Sequence, residues 1–86
     1  MLAQDHASNG IRINAILPGY IYTEGLAAHP GATPEAAAKI IEGCPLHRFG
    51  VASEIGDMIV MMSSPRNGFM IGSSILVDGG QTLSGE

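Results

Sequence analysis

A Pro-Gly turn at the end of an apolar run is the part of this chain best suited to chemistry. The stretch Ile11 to Thr23 reads IRINAILPGYIYT. Leu17-Pro18-Gly19-Tyr20 is a turn signal, because Pro fixes φ at the second position and Gly permits a positive φ at the third. In open α/β sheets, ligands bind just beyond the carboxyl ends of the strands. A strand that stops at such a turn, with the Thr23 hydroxyl close behind, is a candidate wall of a binding site. The other reactive side chains do not assemble by spacing. His6, His29 and His47 share no metal-ligand spacing, so no metal site is expected. Cys44 closes a helical apolar stripe and is expected to be packed, not nucleophilic. Tyr20 and Tyr22 have no lysine placed to lower a phenol pKa. No catalytic residue is assigned.

The elements that must position this turn follow from the pattern. Residues 1–9 read as the end of a helix, stopped by Asn9-Gly10. Residues 11–16 alternate as a strand, with Ile11, Ile13 and Ala15 on one face and Arg12, Asn14 and Ile16 on the other. Arg12 and Asn14 are expected to buttress backbone groups. Residues 24–33 read as loop. Thr33-Pro34-Glu35 is a strong helix start: a cap, a proline at the first position and an acid in the first turn. Ala37, Ile40, Ile41 and Cys44 then form one stripe, and Glu35 and Lys39 make an i, i+4 pair. Residues 45–50 read as a linker. Residues 52–63 form a second helix with a poorly capped start, striped by Ile55, Met58, Ile59 and Met62. Residues 74–78 form a strand, Asp78 is a structural acceptor at its end, and the tail from Gln81 frays. A strand–helix–strand crossover makes the two strands parallel. Parallel strands want cover on both faces, and two strands alone make no stable sheet in water. The expected fold class is therefore α/β, the C-terminal part of a doubly wound parallel sheet.

Composition narrows the function. The 86 residues are 45% apolar and 14% charged, which suits one small globular unit, marginal by itself. The net charge is −4, and Arg12, Lys39, Arg48 and Arg66 are scattered, which argues against nucleic acid. No apolar run approaches the roughly 20 residues that span a bilayer, so no membrane role is expected. The single cysteine excludes an internal disulfide and fits a reducing compartment. With no signal peptide visible, the expected location is cytoplasmic.

Three blocks resemble one family. Gly10-Ile11-Arg12-Ile13-Asn14-Ala15-Ile16 with Pro18-Gly19 and Thr23 resembles the late strand and cofactor loop of the short-chain dehydrogenases/reductases. Pro45-Leu46-His47-Arg48-Phe49-Gly50 with Glu54-Ile55 resembles their next conserved stretch. Gly72 with Val77-Asp78-Gly79-Gly80 resembles their last strand. The resemblance implies a Rossmann-type domain that binds NAD or NADP and moves hydride to or from a carbonyl or alcohol. It also implies that Pro18, Gly19, Ile21 and Thr23 lie at the nicotinamide end, and that residues 24–44 form the substrate loop and its helix. Two family motifs are absent. No Gly-rich phosphate loop occurs, and neither tyrosine is followed by a lysine four positions on: Glu24 follows Tyr20, and Leu26 follows Tyr22. The chain is thus expected to be the C-terminal piece of an oxidoreductase acting on a small molecule, inactive alone. The alternative is a non-catalytic oligomerisation module. In either case 52–63 and 74–78 are the expected homo-oligomer contacts.

Overall fold

The computed structural model describes residues 2–84. Its centre is a pair of parallel strands, β1 (Ala15–Pro18) and β4 (Ser74–Val77), in register Ala15 to Ser74 through Pro18 to Val77. A second parallel pair is only two residues long: β2 (Ile21–Tyr22) lies beside β3 (Gly50–Val51). The described residues also form the α-helices α1 (Leu2–Ala7), α2 (Glu24–Ala28), α3 (Pro34–Gly43), α4 (Ala52–Ser63) and α5 (Gln81–Ser84), with one 3-10 turn at Pro65–Asn67. None is long and apolar enough to cross a membrane.

The helix ends obey local chemistry. Gly10 takes φ 77° just beyond α1, where a side chain would be strained. The Thr33 hydroxyl accepts the Ala36 N–H at 3.1 Å and starts α3 as expected. The stripe along α3 is half-buried and ends in buried Cys44. No ion pair joins Glu35 and Lys39 among the described residues, in contrast to the expected i, i+4 pair. The start of α4 is better held than its sequence suggests. Val51 has no capping side chain, but Glu54 reaches back and accepts the Val51 N–H at 3.0 Å.

Several boundaries differ from the sequence reading, each for a visible reason. The first strand is 15–18, not 11–16. Residues 11–14 do run beside 70–73, and the Gly72 N–H reaches the Ile13 carbonyl at 2.9 Å. However, the Asn14 side chain takes over the ladder there. Its amide donates to the Met70 carbonyl and accepts the Ser73 N–H, both at 2.9 Å. Pro18 joins the strand because it ends the pairing, where its missing N–H is not needed. Residues 24–28 are helix, not loop, because Thr23 caps them: its hydroxyl accepts the Leu26 N–H at 3.1 Å. Gly50, the last residue of the expected linker, joins Val51 to form β3. Residues 81–84 are helix, not a frayed end, and Asp78 before them accepts the N–H groups of Gly80 and Thr82, both at 2.9 Å. The expected positions 1, 85 and 86 lie outside the described residues.

Arg12 ties the strands to α4. Its guanidinium donates to the carbonyls of Met62, Met70 and Ser64 at 3.2–3.4 Å, capping the C-terminal end of α4 and the turn after it. Arg12 and Asn14 thus buttress the backbone, as the sequence indicated.

The interior is small. Among the described residues, Ala3, Cys44 and Met62 are the buried apolar ones. One face of the β1–β4 pair, carrying Ile16 and Ile75, is half-covered. The other carries Leu17 and Leu76, 45% and 48% exposed. On α4, Val60 is 72% exposed, so this apolar helix has an uncovered side. The Cα radius of gyration is 16.0 Å, against about 12 Å for a compact domain of this length. The accessible surface is 6296 Å², against about 4800 Å² for a compact monomer of this mass. The chain therefore presents apolar surface that a self-contained domain would bury.

Replacing Arg12 with Met keeps the aliphatic packing and removes the hydrogen bonds to three carbonyls. The expected loss is about 2 kcal/mol, since bonds from a charged donor are among the stronger ones. Urea unfolding followed by circular dichroism reads it, and a loss below about 0.5 kcal/mol contradicts this role for Arg12.

Candidate functional site

The carboxyl ends of β1 and β4 emerge side by side, and the turn after β1 is pressed onto the turn after β4. A Cβ placed on Gly19 would stand 2.7 Å from Asp78 Cβ and 2.8 Å from Asp78 Cα. Only glycine fits there, so the approach of two backbones, more than turn geometry, dictates this residue. The Gly19 N–H donates to the Val77 carbonyl at 3.0 Å and extends the ladder into the turn. Asp78 is fixed in its place by Thr82 and Gly80. Hydrogen bonds from the Thr82 hydroxyl and N–H, then from the Gly80 N–H, hold its carboxyl below the usual carboxylate range.

The chain then runs from Tyr20 into β2. The Gly50 N–H donates to the Tyr20 carbonyl at 2.9 Å. In a parallel ladder this pairing engages the residues on either side of Ile21, so Ile21's own N–H and C=O face the opposite edge. Thr23 follows as the cap of α2. Its oxygen accepts from Leu26, and its O–H is still a donor. Of the four expected site residues, Pro18 and Gly19 line one cleft with Asp78 and Thr82, Ile21 lines the neighbouring cleft at the strand ends, and Thr23 lies beyond both as the cap of α2.

The second strand of that minor pair is clamped from outside. Arg48 holds Glu54 through two bonds, Nη1 to Oε1 at 2.8 Å and Nη2 to Oε2 at 2.9 Å. The Arg48 guanidinium and then the Val51 N–H bring the Glu54 pKa down from 4.5 to about 2. The same pairing raises that of Arg48. The sequence reading missed this clamp. Its signal was the Glu three positions beyond an uncapped helix start, with an arginine six positions before it. His47, in the loop leading to Arg48, has φ 55°, a conformation that favours glycine.

Cys44 packs under the same turn. It is 4% exposed, and its thiol lies 3.6 Å from the Gly79 carbonyl. The packed reading of this cysteine holds. Among the described residues, no group of three His, Cys, Asp or Glu gathers. A cleft of about 340 Å³ lies between the two strand ends, lined by Tyr20, Leu46, Arg48, Asp78 and Leu83 among others.

Parallel strands joined by a helical crossover, with a glycine turn at their carboxyl ends, define part of an α/β nucleotide-binding fold. Comparison with known proteins makes the assignment specific. The family model described as enoyl-(acyl carrier protein) reductase matches residues 1–82. The chain belongs to the short-chain dehydrogenase/reductase family. It is 42% identical over 80 residues to an acetoacetyl-CoA reductase of Shinella zoogloeoides, covering 93% of this chain and 32% of that protein. It is 33% identical over 82 residues to the short-chain dehydrogenase srdC of Neurospora crassa, covering 95% and 30%. Among solved structures, a 4-hydroxyisoleucine dehydrogenase mutant complexed with NADH and succinate superposes with a TM-score of 0.84 at 30% identity, covering 95% of this chain and 33% of that one. A 3-oxoacyl-[acyl-carrier protein] reductase from Brucella melitensis gives a TM-score of 0.82 at 33% identity, covering 92% and 28%. The chain thus spans about a third of the length of the relatives it matches.

Two measurements test this geometry. Gly19→Ala must push the two turns apart, and amide shifts should move at Asp78, Gly80 and Thr82 as well as at the mutated turn. Changes confined to residues 18–20 contradict the close approach. Glu54 has a depressed folded pKa, so its contribution is complete above about 4.5 and is lost as pH falls toward 2. Exchange of the Val51 amide should quicken across that window, and Glu54→Gln should remove the pH dependence.

Proposed function

We propose that this chain forms the C-terminal third of an NAD- or NADP-dependent oxidoreductase domain and supplies one wall of its nicotinamide pocket. The observation that carries the proposal is the backbone run from Pro18 to Thr23 at the carboxyl end of β1. Gly19 fits only a close backbone packing, Ile21 has its peptide groups facing away from β3, and Thr23 retains a hydroxyl donor. Such a run suits the carboxamide of a nicotinamide, which offers both an acceptor and donors. Bound there, the cofactor would carry the hydride. The chain's part is to orient it: Ile21 through its backbone, Thr23 through its hydroxyl, and Pro18-Gly19 by fixing the turn.

Residues 24–44, with two short helices on Gly- and Pro-rich connections, act as the substrate lid in this reading. The uncovered sheet face at Leu17 and Leu76 is where the remaining strands and helices of such a domain would pack. Neither a phosphate cradle nor a Tyr-x-x-x-Lys pair is present in these residues, so the 86-residue chain is inactive alone.

A second reading is favoured by the exposure of Val60, with Ile59 and Met61 beside it, on α4 and of Leu76 on β4. These lie within 52–63 and 74–78, and would make the chain a homo-oligomerisation module.

NADH fluorescence tests the first reading. The 86-residue chain alone should show no saturable binding up to millimolar cofactor. Joined to the N-terminal two thirds of a homologous reductase, it should restore binding, and Thr23→Ala in the joined protein should weaken it several-fold. Tight binding by the chain alone overturns the proposal. Light scattering tests the second: a concentration-dependent dimer that Val60→Glu dissociates supports it, and a monomer at every concentration excludes it.

A further inference from the structure

The turn after β4 is gripped from two sides. On one side Gly19 lies against Asp78, with no room for a methyl group between them. On the other side residues 44–46 sit on Gly79 and Gly80. A Cβ on Gly79 would stand 2.8 Å from the Cys44 sulfur, and one on Gly80 would stand 3.0 Å from the Pro45 ring. The Leu46 N–H donates to the Gly79 carbonyl at 3.3 Å, and the Cys44 thiol lies against that same carbonyl. The Cys44 carbonyl accepts the His47 N–H at 2.8 Å, so the chain leaving α3 turns back at once over this seat. Cys44 is buried, whereas neither α2 nor α3 contains a buried residue. The segment from Thr23 to Cys44 is therefore fastened at its ends and lightly packed between them. Its first end follows β2, which β3 holds, and its last end is the seat on Gly79 and Gly80.

We propose that Asp78–Gly80 is a wedge that couples the turn at Gly19 to the last hinge of residues 24–43. Close-packed groups cannot be compressed, so a shift on one face of the wedge is passed to the other. Hinges are a few residues at the ends of elements, and Cys44, Pro45 and Leu46 occupy that position at the end of α3. With the wedge in place the hinge is locked. With it displaced from either side, Cys44 leaves its seat and the segment swings free. For its place in an enzyme the proposal rests on reading residues 24–44 as a lid: Cys44, Gly79 and Gly80 are then positioning residues that set the lid against the nicotinamide wall.

Alkylation of the 86-residue chain by N-ethylmaleimide reads the seat directly, because Cys44 is the single cysteine. In the natural chain, alkylation and amide exchange at Ile40 and Ile41 should pass through a local opening that low urea hardly changes. The Ala15 amide, in the central ladder, should exchange only with the steep urea dependence of global unfolding. Gly79→Ala forces a methyl onto the sulfur and should speed alkylation about tenfold or more. Gly10→Ala is the control: it carries the same positive-φ strain, but its methyl meets nothing within 4 Å, and the alkylation rate should not change. Gly19→Ala, acting from the far side of the wedge, should also speed alkylation several-fold. If Gly79→Ala unfolds, the urea dependence in the natural chain and the Gly19→Ala rate decide. Equal acceleration by Gly10→Ala, no acceleration by Gly19→Ala, or one urea dependence shared by Ala15, Ile40 and Ile41 overturns the proposal. The lid reading is separated in the joined protein, where Gly79→Ala should raise the substrate KM several-fold. An unchanged KM there, beside fast alkylation in the 86-residue chain, would keep the wedge and remove the lid.

Discussion

The parallel pairing of Ala15–Pro18 with Ser74–Val77 is the constraint on which the rest of this structure depends. Its partners are 59 positions apart, so everything between them must form a crossover that returns the chain in the same direction. That crossover has to leave the strand end, turn and come back without unsatisfied backbone. Gly19 makes the departure possible by lying flat against Asp78, and Arg12 anchors the return by gathering the carbonyls at the end of α4. Loss of either contact would affect both strands, because each one bridges the two halves of the crossover.

The same pairing explains why the candidate site lies where it does. Both strands end at one edge, and their turns are packed on each other, so the backbone between Pro18 and Thr23 is held in one shape. Asp78 and the Arg48–Glu54 pair contribute through the backbone they hold. Asp78 stiffens the turn against which Gly19 rests, and the ion pair steadies β3, on which β2 depends. The pair is exposed, so its value is geometric more than energetic. One sheet face and one side of α4 leave apolar residues open to solvent.

Much of this was legible locally. The cap at Thr33, the stop at Gly10, the helix from Ala52 to Ser63 and the strand near Ser74 follow from propensity and periodicity, which depend only on near neighbours in sequence. The family blocks were legible as well, because glycines and prolines at fixed spacing mark backbone shapes. The start of β1, the helix at Glu24 and the helix at Gln81 were not. Each depends on a side chain that takes a backbone partner: Asn14 across the strands, Thr23 over its own next turn, and Asp78 over the tail. Periodicity has no means of registering such a bond.

The sequence alone thus determined the class of fold, the parallel sense of its strands and the turn that marks the candidate site. Tertiary structure decided why Gly19 must be glycine, which face of the sheet stays open, and how Phe49 comes to meet Tyr22 across the chain. The division has a physical basis. Local preferences are set by the steric and hydrogen-bonding limits of a few consecutive residues. Close approach, burial and side-chain capture depend on residues brought together only once the crossover has closed.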